Sequence, residues 1–157
     1  MAVFVALEND NEPEAKIDEP EVDKTIVTVT SVSGILTLAG HGLDGEIKEA
    51  KGDLDGAIAS YLLAVELEDK GNYTEPPAWA QPMRHYLGAA LLKAGNPEAA
   101  EKIYRRDLRW NAENGWALYG LHQSLADQGK AEQAAEVFAR YEAAWVHSDT
   151  ALTASRK

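Results

Sequence analysis

The chain has no cysteine, so neither a disulfide nor a thiolate metal site is available to it. Basic residues are scarce: 15 lysines and arginines stand against 26 acids, a net charge of −11 over 157 residues. That balance argues against binding a nucleic-acid backbone, which needs a basic surface to release counterions. It argues equally against docking to an anionic membrane surface. Long apolar runs are also missing. The start Ala2-Val3-Phe4-Val5-Ala6-Leu7 is too short for a signal core and has no basic residue before it. Nothing approaches the roughly 18 consecutive apolar residues of a membrane span. These absences predict a soluble protein, cytoplasmic by default, without membrane insertion or nucleic-acid partners.

The signatures of catalysis are thin as well. His41, His85, His122 and His147 lie far apart, without a two-histidine zinc spacing on one helix. There is no Gly-rich phosphate loop and no G-x-S-x-G elbow. Gly40-His41-Gly42 offers an imidazole, but neither a nucleophile nor a base-orienting partner can be assigned to it. The expectation is a protein that is not an enzyme and holds no metal or cofactor.

What the chain does have is enough apolar material, 45 %, for one packed domain. Residues 1–33 differ from the rest: eight acids from Glu8 to Asp23 face only Lys16 and Lys24, and Pro13 and Pro20 interrupt any helix. That composition predicts a solvated acidic arm, or a lure for a basic partner. The β-branched run Thr25 to Thr30 favours extended backbone. From about residue 43 apolar residues recur at three and four: Ala57, Ile58, Tyr61, Leu62 and Val65, then Met83, Tyr86, Leu87, Ala90 and Leu91. The spacing returns in Ala99, Ala100, Ile103, Tyr104 and Leu108, in Leu118, Leu121 and Leu125, and in Ala134, Val137, Phe138, Tyr141 and Trp145. Gly52, Gly95 and Gly129 punctuate these helices, each suited to a left-handed helix end.

A shift of 34 residues places Leu87 on Leu121, Leu91 on Leu125, Gly95 on Gly129, Ala100 on Ala134 and Tyr104 on Phe138. A shift of 43 places Gly52 on Gly95, Ala57 on Ala100 and Tyr61 on Tyr104. With Leu87-Gly88, Gly95, Ala100 and Tyr104 at this period, the chain resembles the tetratricopeptide family over roughly residues 43 to 145. The resemblance implies an all-α fold: an α-α superhelix, a right-handed solenoid of about two and a half to three helix-turn-helix repeats. These span about 38–70, 78–112 and 115–147 within a domain of 34–148, followed by a tail of 149–157. His122 stands where the pattern has Gly88, and Ala112 replaces a usual proline. The first helix reads as poor, because Gly34, Gly40, Gly42 and Gly45 each cost about 1 kcal/mol relative to alanine.

The resemblance further implies a concave groove lined by the first helix of each pair. Its candidates are Trp116, Tyr119, Gln123 and Asp127, with His85 and Lys93 from the repeat before, and Arg84 at the rim. Aromatics with a few polar groups suit a peptide and its apolar anchor; the alternative is that Trp116 and Tyr119 pack between repeats. Secondary candidates are Lys102, Arg105, Arg106 and Arg109, a basic stripe that is either a solvated face or a dock for acid. The Pro-stiffened insert from Tyr73 to Trp79 reads as a rigid connection or as a projecting contact, with Thr74 or Glu75 capping the next helix. The expected function is a scaffold binding a protein or peptide in the groove. The alternatives are a section of a longer array, a subunit self-associating through exposed repeat ends, or a non-catalytic accessory subunit. The tail offers little to cap the last repeat.

Overall fold

A computed structural model of the chain describes residues 32–71, 79 and 81–156, the side chains of 32 and 33 excepted. The acidic arm, the β-branched run and Tyr73, Thr74 and Glu75 of the insert lie outside the described residues. Among those described, six α-helices form and no strand: α1 (Val32–Ala50), α2 (Leu54–Asp69), α3 (Met83–Lys93), α4 (Pro97–Trp110), α5 (Gly115–Asp127) and α6 (Ala131–Trp145). Each helix packs on the next in chain order, and α3 also meets α5.

Three helix pairs share one joint. Gly52, Gly95 and Gly129 have φ of +82°, +74° and +72°, the left-handed region that a side chain resists. Around each, the residue after the glycine donates back across the helix end: Asp53 N–H to Lys48 O, Asn96 N–H to Leu91 O, Lys130 N–H to Leu125 O, all at 2.9–3.0 Å. This six-to-one closure satisfies carbonyls that would otherwise be orphaned. Asn96 occupies the cap position of α4 but its side chain does not cap, and Pro97 opens the helix.

The first helix departs from expectation. α1 runs unbroken for 19 residues through all four of its glycines. Propensity is overridden by packing, since two of those glycines make room for neighbours. A Cβ on Gly45 would lie 2.4 Å from the Tyr61 ring, and one on Gly42 3.3 Å from Met83 Sδ. The same device repeats downstream: Tyr104 is wedged so that a Cβ on Gly88 or Gly120 would meet Cζ at 2.3 or 2.2 Å. His122, in the glycine's place, turns aside instead. Its Nδ1 lies 3.0 Å from Ala134 O, and its ring lies 4.7 Å from the Phe138 centroid.

The core follows the helical faces read from the sequence. Leu87, Leu91, Tyr104, Leu121 and Leu125 are buried, and Phe138 packs against them half-buried. The connection into α3 is fastened from the previous pair. Glu68 Oε2 accepts the Met83 N–H at 3.0 Å, at the start of α3. Pro82 sits at the cap position of α3, where its missing N–H does no harm.

Candidate functional site

The segment after α6 does not trail away. Trp145 Nε1 donates to Thr150 O at 2.6 Å, turning the chain back toward the earlier helices. Leu152 is buried with the core, and Ser155 is 1 % exposed. Ser155 Oγ donates to His85 O of α3 at 3.2 Å and lies 2.5 Å from the Tyr104 hydroxyl. Because the single serine proton is committed to the carbonyl, the tyrosine must donate to Ser155. Burial pushes the Tyr104 hydroxyl pKa up, despite opposing effects from Ser155 and Arg156, so it keeps its proton for that task.

Arg156 then crosses to the first helix pair. One nitrogen donates to Glu49 Oε1 at 2.7 Å and the other to the Tyr61 hydroxyl at 3.2 Å. The guanidinium carbon stands 5.5 Å from the Tyr86 ring centroid, within cation–π range. Glu49 is 7 % exposed and accepts further bonds, from Tyr61 Oη at 3.2 Å and Lys93 Nζ at 3.1 Å. Burial also raises the Tyr61 pKa, the pull of Arg156 notwithstanding. An irregular stretch of seven residues, 150–156, thus spans from α6 to α1. It makes specific contacts with α1, α2, α3 and α4.

Beside this segment a cleft of about 360 Å³ opens between Thr153–Arg156 and the helices. Glu49, Lys93, Gln123 and Asp127 line it, together with Ala89 and His122. The structure therefore brings Lys93, Gln123 and Asp127 to one cleft. His85 is not among them. It is fully buried, with Nε2 3.0 Å from Asp107 Oδ2, while Asn111 donates to the other carboxylate oxygen at 3.0 Å. It meets the returning segment only through its backbone carbonyl, which accepts from Ser155. Arg84 is likewise buried rather than at the rim, paired with Asp69.

Trp116 and Tyr119 are half-buried and engage α6. Trp116 meets Trp145 edge-on at 5.5 Å, and Tyr119 lies 5.3 Å from Tyr141. The outer stripe on α4 is exposed, and it is partly neutralised: Arg105 pairs with Glu101 at 2.8 Å and Arg106 with Asp69 at 3.4 Å, whereas Lys102 and Arg109 face solvent. Trp79 packs against the core. Sequence reasoning missed Glu49, Tyr61, Tyr104, Ser155 and Arg156. One signal was present: tyrosine at 61 and 104 carries a hydroxyl that Phe138 does without at the matching position.

No protein-family model matches the chain. Cellulose synthase operon protein C of Xanthomonas axonopodis pv. citri (strain 306) is similar to it, 34 % identical over 99 residues. The matched stretch is 63 % of this chain and 6 % of that protein, so the chain corresponds to a small part of its relative's length. No helix among the described residues is long and apolar enough to cross a membrane.

Proposed function

We propose that this protein is a non-catalytic scaffold of tetratricopeptide type, whose α1, α3 and α5 form a concave face that binds an extended segment of a protein partner. The observation that carries this reading is the irregular segment 150–156, already seated beside that face through specific bonds to Glu49 of α1, Tyr61 of α2, the His85 carbonyl of α3 and Tyr104 of α4. A surface that holds one extended segment by preformed, buried polar groups is suited to others. The superhelical arrangement is supported by the threefold glycine joint and by the tyrosines wedged against Gly45 and Gly88.

The reading is tested by selecting displayed random peptides on the full-length protein. Selected peptides should lose at least about fivefold in affinity to Lys93→Ala, Gln123→Ala or Asp127→Ala variants of unchanged helicity. Peptides that bind all three variants as well as the parent would place the site elsewhere.

A second reading is a section of a longer assembly. Leu36, Leu43 and Ile47 on α1 and Leu63 on α2 are exposed apolar residues, and stacked repeats bury such faces against neighbours. The similarity to a far longer protein of a cellulose synthase operon is compatible with an accessory or scaffold role of this kind. Self-stacking predicts a mass that falls on dilution; a constant monomer mass would remove it.

A further inference from the structure

We infer that the groove reads the pattern Leu-x-x-Ser-Arg, that the chain's own Leu152–Arg156 occupies it in cis, and that a partner segment of the same pattern competes for it in trans. This deepens the groove reading and rests on it.

Each position of the pattern has a built subsite. Leu152 enters the apolar core, which a polar side chain at that position would disrupt. Ser155 meets a paired acceptor and donor, the His85 carbonyl and the Tyr104 hydroxyl, in a space that leaves it 1 % exposed. Alanine there would orphan both groups, and a larger residue would not fit. Arg156 spans Glu49 and the Tyr61 hydroxyl with two nitrogens while its guanidinium carbon lies over the Tyr86 ring. A lysine ammonium has no such fork and cannot reproduce the pair. The intervening Thr153 and Ala154 border the open cleft, so the pattern leaves those positions free to vary.

The cis segment is built to yield. Residues 146–151 and 153 are exposed, so the stretch between α6 and Leu152 is held mainly by the Trp145–Thr150 bond. A short tether keeps such a segment at an effective concentration on the order of millimolar, so a competitor meets an occupied site rather than an absent one. Charge sets the direction of the preference: Arg156 is a second cation on Glu49, beside Lys93, and the chain's net charge of −11 steers basic segments toward it.

The test uses full-length protein and a fluorescein-labelled peptide of residues 149–156 followed by anisotropy. Leu152→Asp combined with Arg156→Glu releases the cis segment while leaving every groove residue intact. The released variant should keep its helicity and bind the peptide at least tenfold more tightly than the parent. Peptides carrying alanine for the serine or lysine for the arginine should bind at least fivefold more weakly, a comparison that leaves the protein untouched. Equal affinity of parent and released variant would overturn the competition, and equal affinity of the altered peptides would overturn the pattern. Loss of helicity on release would overturn the inference too, because the segment would then be a structural part of the domain. A folded, released variant that selects other peptides at the cleft but not this one would sink the pattern alone. One that selects none would also remove the groove reading beneath it.

Discussion

Tyr104 reaches Ser155 at 2.5 Å because glycines at 88 and 120 leave its ring a slot between α3 and α5. One tyrosine therefore does two jobs, filling the gap between α3 and α5 with its ring and holding the returning segment with its hydroxyl. The two are separable by a single atom. Tyr104→Phe should cost only about 0.5–1.5 kcal/mol in a urea melt, the range for one hydrogen bond, while amide exchange over 150–156 accelerates severalfold. Unchanged exchange there would mean that the hydroxyl does not hold the segment.

The glycines of α1 predict opposite outcomes within one helix. Gly40 is exposed, with nothing within 4 Å of where a Cβ would sit, so Gly40→Ala should stabilise by about 0.5–1 kcal/mol through helix propensity alone. At Gly45 the added methyl would collide with the fully buried Tyr61 ring, and Gly45→Ala should destabilise by about 1–3 kcal/mol. The same sign at both sites in thermal melts would contradict this packing of α1 on α2.

These glycines also show where the sequence was legible and where it was not. The left-handed joints at Gly52, Gly95 and Gly129 and the apolar faces of α2 to α6 are local signals, readable from spacing and turn chemistry. The glycines of α1 carry no local sign of the Tyr61 ring they accommodate, so propensity alone misjudges them. His85 was placed on the groove face by its offset from Tyr119, but its partner Asp107 lies 22 residues away and decides its burial. The segment after α6 has no periodicity at all. Its fold is set by contacts with Glu49 and Tyr61, 107 and 95 residues distant from Arg156, which no window along the chain reveals.

Leu121 and Leu125 test the repeat register itself. Both are buried in α5, 1 % and 0 % exposed, at the positions that the 34-residue shift pairs with Leu87 and Leu91. Truncating either to alanine should cost about 2–5 kcal/mol. A loss below about half a kcal/mol at both would be incompatible with a core between α3, α5 and their partners.

Glu68 makes stability depend on pH in a direction opposite to that of most carboxylates. Burial raises its pKa from 4.5 to about 7, although the Met83 N–H bond and Arg84 pull the other way; Asp69 and Asp107 add to the rise. Between those two values the folded chain holds a proton that the unfolded chain has released. Stability from this group is therefore fully present below about pH 4.5 and is lost as pH rises through about 7. Glu68→Gln keeps an oxygen for the Met83 N–H and an uncharged donor in place of the acid proton, so it mimics the protonated form at every pH. At pH 8 the variant should be more stable than the parent by about 1–2 kcal/mol, below a ceiling of roughly 3 because the carboxylate retains solvent contact. The gap should close below about pH 4.5. Taking the difference between variant and parent in urea melts removes the titration of the other acids, which both chains share. A gap that stays flat from pH 4 to pH 8 would mean that Glu68 is not desolvated, and the fastening of α3 to α2 through its carboxylate would then need another explanation.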